Sequence, residues 1–253
     1  MERHVLAALV GASWAFGATA DEVVVQPARD NTIYQENGSN SNGAGFLFAG
    51  TQGGGSTRRA LLRFDVAGAL PAGAQVEQVE LTLHVSRAVF ADPLPATLHR
   101  ALADWGEAGS DAGERSGAGA PAQPGDTTWS HRFFATQTWS APGADFVAGA
   151  SATGALGGVG SYTLPSSPGL VSDVQGWLDA PAQNFGWVLR GDESQGSTAR
   201  RIDSREGSTA ATRPALRIVY GLPATVPIPW FARGVLALLL IALGRRAARP
   251  AHG

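Results

Sequence analysis

The chain has 253 residues, and its 33 glycines and 15 prolines make up about a fifth of it, a density of breakers that excludes a helical bundle or coiled coil. With no cysteine, disulfides, thiolate metal sites and cysteine nucleophiles are excluded, while a hydrophobic fraction of 44% is that of a packed globular chain rather than a disordered one. All 19 basic residues are arginine; between positions 21 and 223, 20 carboxylates face 14 scattered arginines, a net −6 that opposes binding along a phosphate backbone and so excludes nucleic acid as the expected partner.

Taken in chain order, residues 1–20 read as a secretory signal peptide. Arg3 and His4 form a short basic start, 5–10 and 12–16 an apolar stretch, and Ala18-Thr19-Ala20 a small-x-small cleavage site, so the mature chain is expected to begin near Asp21. Short strand-like runs follow at 23–26, 32–35 and 46–49. In 58–66, Leu62, Phe64 and Val66 share one face, with Arg59, Leu61, Arg63 and Asp65 on the other. Val79, Leu81, Leu83 and Val85 alternate with Glu80, Thr82, His84 and Ser86, the pattern of a half-buried strand. Further strands are expected at 97–101, 161–164, 185–190, 199–203 and 216–220, and a single short helix at 170–178. Turn signals such as Asn37-Gly38, Asn42-Gly43 and Gly53-Gly54-Gly55 separate them.

Strands with one apolar face each bury it by packing sheet on sheet, which predicts an all-β fold, a β-sandwich of jelly-roll type, as one domain over 21–223. The stretch 105–160 stands apart. It is rich in Gly and Ala with Trp129, Phe133, Phe134, Trp139 and Phe146 interspersed, and reads as a long excursion pinned by its aromatics or as a functional loop. Residues 224–253 form a second membrane signal: Val226-Pro227-Ile228-Pro229-Trp230, then an apolar run from Gly234 to Gly244, closed by Arg245, Arg246 and Arg249. The run crosses a bilayer only if it extends back to Ile228 with Arg233 snorkelling, and the arginine cluster would stay cytoplasmic, leaving the domain outside.

This tail resembles the C-terminal sorting signals of the PEP-CTERM and IPTL-CTERM type, although Val-Pro-Ile-Pro-Trp departs from their usual Pro-Thr-Leu core. The resemblance implies a transient membrane anchor and a sorting protease as partner. Within the domain, a series of pieces stands in order: Asp30-Asn31-Thr32-Ile33, Arg59-Ala60-Leu61-Leu62-Arg63-Phe64-Asp65, Glu80-Leu81-Thr82-Leu83, Asp104-Trp105-Gly106-Glu107 and Thr127-Thr128-Trp129. They continue with Trp139 through Gly143-Ala144-Asp145-Phe146, then Asn184-Phe185-Gly186-Trp187, Ser204-Arg205-Glu206 and Arg213-Pro214-Ala215-Leu216. In that order they resemble the DNRLRE domain, also classed as carbohydrate-binding module family 96. The resemblance implies a secreted β-sandwich and an extracellular polysaccharide as partner, best attested for uronate polymers such as alginate.

No motif points to catalysis. His84, His99 and His131 lie in no triad or metal pattern, and Gly53-Gly54-Gly55 lacks the lysine of a phosphate loop, so the chain is read as a non-enzyme. Sugar binding needs flat aromatic faces and planar polar forks that meet hydroxyls or carboxylates in pairs. Arg59 and Arg63, on one strand face, and Trp129 and Trp139, in the long excursion, are the candidate ligand-binding residues. Each has a structural reading beside it: an ion-pair network with Glu206 or Asp203 for the arginines, and pinning of the excursion for the tryptophans. The segment 30–43 carries Asp30, Asn31, Glu36, Asn37, Asn40 and Asn42, an oxygen-rich set in which calcium could sit, yet it lacks EF-hand spacing. No cofactor is assigned, and the metal content is left open. The expected role is an adhesin or matrix component that binds an acidic polysaccharide; a structural surface protein without sugar binding, and a polysaccharide lyase or hydrolase, are the alternatives.

Overall fold

The computed structural model describes residues 20–113 and 117–222. The expected signal peptide, apart from Ala20, and the expected membrane segment lie outside the described residues. Among the described residues no helix is long and apolar enough to cross a membrane.

The protein is all-β and antiparallel. Its elements in chain order are β1 (Ala20–Val25), β2 (Pro27–Tyr34), β3 (Asn40–Ser41), β4 (Leu47–Thr51), β5 (Thr57–Phe64), α1 (Val66–Ala69), β6 (Gln75–Ala88), β7 (Leu94–Arg100) and β8 (Ala120–Pro121). After them come β9 (His131–Phe133), β10 (Gln137–Thr138), β11 (Ala152–Leu156), β12 (Gly160–Leu164), α2 (Pro168–Asp179), β13 (Trp187–Arg190), β14 (Arg200–Ile202) and β15 (Ala215–Gly221). Eleven strands form one curled sheet along the path β1-β15-β6-β14-β4-β5-β13-β7-β11, with β12 beside β6 and β2 beside β5.

Bulges give β6 its curl. Glu77 is passed over between Val76, opposite Tyr220, and Gln78, opposite Val219; Ser86 is passed over between Val85, opposite Ile202, and Arg87, opposite Arg201. Each extra residue raises the local twist, so one long strand can serve β15 at its start and β14 at its end. Inward residues of β6 and β15 thereby meet those of β5, β7 and β13 in one core, with Leu81, Leu83, Ile218, Leu62, Phe64, Leu98 and Trp187 all buried. The helix α2 closes this core with Leu170, Val174 and Trp177. Pro168 stands at its first position and Ser167 Oγ accepts the Leu170 N–H at 3.1 Å, which fixes where it starts. The strand expected to run to Val66 ends earlier, because Asp65 caps α1 by accepting the Gly68 N–H.

A second core lies on the opposite face of β2, β5 and β13. Ile33, Leu61 and Val188 pack there against Trp105, Trp139, Ala101 and Ala144 from the connection between β7 and β11. This explains the run Ala60-Leu61-Leu62 in β5: a strand covered on both faces drops its polar alternation. Gly186 sets the handover. Its φ is +74°, and a Cβ there would stand 2.1 Å from the Leu62 carbonyl oxygen. The turn it allows sends Phe185 to the second core while Trp187 faces the first, whereas unbroken alternation would place them together.

Candidate functional site

Of the four candidate binding residues, Arg59 and Trp129 are in direct contact. Arg59 leaves the outer face of β5 opposite Arg190 of β13, and both guanidiniums converge on Glu193. Arg59 Nε and Nη2 donate to the two carboxylate oxygens at 2.8 and 2.9 Å, and Arg190 Nε donates at 3.1 Å. Arg59 Nη1 donates to the Gly143 carbonyl at 2.7 Å, and its plane lies 4.9 Å from the Trp129 ring and 5.4 Å from that of Phe146. Burial alone would raise the Glu193 carboxyl, but the hydrogen bonds and charges of Arg59 and Arg190 outweigh it and hold the group at about 2. The ion-pair partner expected from sequence was Glu206 or Asp203; Glu193 fills that role, since the β5–β13 register carries it there.

Trp139 is only 5% exposed, inside the second core, with its Nε1–H donating to the Thr128 carbonyl at 2.9 Å. No flat face of it is open to a sugar. Arg63 is half-buried opposite Arg29, whose guanidinium stacks 5.5 Å from the Trp105 ring and pairs with Asp104 at 3.1 Å. Arg59 and Trp129 therefore fasten the long connection onto the sheet.

Two open clefts lie elsewhere, and none of the four residues is among their described lining. One, of about 440 Å³, is lined by Phe48, Arg58, Arg87, Val89 and Arg201 among others, with no carboxylate in its described lining. Arg58 is neutralised there by Glu36 and stacked on Tyr34. Arg87 is exposed on β6 opposite Arg201 of β14, and Arg201 lies 3.9 Å from the Phe46 ring with Nε donating to Ser86 Oγ at 3.1 Å. Arg201 also lines the second cleft, of about 540 Å³, together with Phe46, Asp111, Asp203, Ser204 and Glu206. The two clefts thus meet at Arg201, with Arg58 and Arg87 lining one and Asp111, Asp203 and Glu206 the other.

Beside the acidic cleft three carboxylates gather. Asp30 of β2, Glu107 after Trp105-Gly106, and Glu206 beyond β14 each bring an oxygen within 4.8 Å of the others. Gly106 lets the chain before Glu107 lie against Gly125, because a Cβ there would stand 1.7 Å from the Gly125 carbonyl oxygen. Arg205 is the cation among them: its backbone N–H donates to Asp30 Oδ2 at 2.8 Å, and its guanidinium binds Glu107 and Glu206, each at 2.8 Å. Asp30 is wholly buried, and its Oδ1 has no hydrogen-bond partner. Burial first, then repulsion from Glu206, pushes the Asp30 carboxyl well up. Burial, only partly offset by Arg205, pushes Glu107 up to about 7.

The oxygen-rich segment 30–43 contributes one residue to this cluster. Its asparagines serve the backbone instead: Asn31 Oδ1 accepts from Thr32 N, Ser41 Oγ and Asn42 N, and Asn42 Oδ1 accepts from Ala112 N. Sequence reasoning missed Glu107 and Glu206 as companions of Asp30, although all three belong to the short pieces that carry the family resemblance. No protein-family model matches the chain, and no curated protein matches it either.

Proposed function

We propose that the chain is an exported, non-catalytic module of the DNRLRE type that binds an acidic extracellular polysaccharide, with its curled sheet built as a jelly-roll β-sandwich and its C-terminal segment serving as a transient membrane anchor. The observation that supports the ligand class is Arg87, which stands exposed at an open groove with no carboxylate among its described lining. A guanidinium fork meets a uronate carboxylate with two parallel hydrogen bonds, and the apolar surface of Phe48 and Val89 suits the C–H side of a sugar ring. Of the residues expected from sequence, Arg59 is bound to Glu193 and Gly143, Trp139 is buried, and Arg63 and Trp129 are half-buried outside the described lining of the groove, so this reading rests on Arg87 instead.

Affinity electrophoresis of the purified protein in gels containing alginate, pectin or a neutral glucan tests this. The acidic polymers should retard the protein and the neutral one should not. Arg87→Ala, at an exposed position, should abolish most of the retardation without changing the melting temperature, and added salt should weaken it. Free migration in all three gels, with folding intact, would favour a structural surface protein instead.

A further inference from the structure

We propose that Asp30, Glu107 and Glu206 hold a divalent cation of the calcium type. Three carboxyl groups share one guanidinium among the described residues, that of Arg205, so ionising all three together calls for two further positive charges. A dication supplies that balance. Asp30 gives the second, independent indication: it is wholly buried, its Oδ2 is taken by the Arg205 N–H, and its Oδ1 has no donor. A buried carboxylate oxygen without a partner costs several kcal/mol in general, so its persistence calls for a ligand at that atom. The neighbouring Asn31 cannot fill the gap, since its side chain is committed to the 31–42 turn and to the Gly106 carbonyl.

Charged oxygens and the lack of nitrogen or sulfur donors select a hard cation. Ligands at calcium distance lie no more than about 5 Å from one another, and these oxygens lie within 4.8 Å. Calcium takes about six to eight oxygens, and water can complete the shell because Glu206 is exposed and lines the 540 Å³ cleft. The ion would tie β2, the long connection and the turn after β14 together at one point. The proposal stands apart from the polysaccharide reading and does not depend on it.

The test is calorimetric titration of chelator-stripped protein with calcium chloride, with magnesium chloride as comparison, alongside the thermal unfolding midpoint. One calcium should bind per chain, with a rise in the midpoint and weaker binding of magnesium. Glu206→Gln, at an exposed position, should stay folded by circular dichroism and lose about tenfold or more in calcium affinity; Asp30→Asn should lose it altogether. A folded protein that shows neither heat nor midpoint shift at millimolar calcium overturns the proposal, as does a Glu206→Gln variant that binds as the parent does. Should Asp30→Asn fail to fold, the Glu206→Gln result decides.

Discussion

Replacing Arg59 with alanine separates fastening from ligand contact. The side chain is 14% exposed and makes two charge-assisted bonds to Glu193, a third to the Gly143 carbonyl, and ring contacts to Trp129 and Phe146. Removing one partner of a largely buried ion pair costs about 3–5 kcal/mol. Arg190 keeps hold of Glu193, so the low end applies, about 3 kcal/mol. For a domain of this size that is a fall of about 6–12 °C in the melting temperature. Arg59→Lys should recover less than half, since an ammonium cannot match the fork or stack on the indole. Glu193→Gln should cost a similar amount, and the double variant should fall short of the sum by about 1–3 kcal/mol, the coupling expected of groups in contact. Denaturant unfolding followed by tryptophan fluorescence reads all four variants, with Trp129 and Trp139 as reporters at the affected face. An Arg59→Ala protein within about 0.5 kcal/mol of the parent would refute the fastening role.

Gly186→Ala should destabilise by more than about 2 kcal/mol, because a Cβ cannot be accommodated beside the Leu62 carbonyl at positive φ; a chemical denaturation midpoint equal to the parent's would contradict that packing. Acid should loosen the same face that Arg59 fastens. Glu193 is held at about 2 against an ordinary 4.5, so its contribution is intact above pH 4.5 and is lost as pH falls towards 2. The loss amounts to about 2 kcal/mol after allowance for solvent. His99, whose basicity burial lowers, adds a separate loss as pH falls below its ordinary 6.5; Glu193→Gln should flatten the stability profile in the lower window and, by removing a charge that favours the imidazolium, leave a His99 portion at least as large.

Much of this architecture could be read from residue patterns. Alternation in 79–86 and 216–220 placed β6 and β15, and the mixed face of 58–66 placed β5. The helix at 170–178 extends to Pro168–Asp179 because its capping serine and first-turn proline lie before the apolar run. What periodicity could not give was the second core. Trp105 and Trp139 meet Ile33, Leu61 and Val188 from strands far away in the chain, so no local spacing encodes the contact. The same holds for the chemistry. Glu193 is tied to Arg59 by cross-strand register, and Glu206 reaches Asp30 beside Arg205, which lies 175 residues downstream of it. No local spacing marks Arg87 and Arg201 as cross-strand partners, since it is the bulge at Ser86 that sets them opposite one another. Trp139 is buried in the second core and Trp129 lies against Arg59, because an indole in a glycine-rich excursion is also what holds such an excursion down.

The outermost pairing of the sheet has a mechanical consequence. Ala20 and Gly221, close to the first and last of the described residues, are register partners across antiparallel β1 and β15. Tension drawn between those two points would pull across the strand axes and part their hydrogen bonds one at a time, like a zip. β1 would peel off first under low force, taking only the partly buried Val23 and Val25 from the first core, so a load applied at those two points would be met by yielding at the rim before the body gives way.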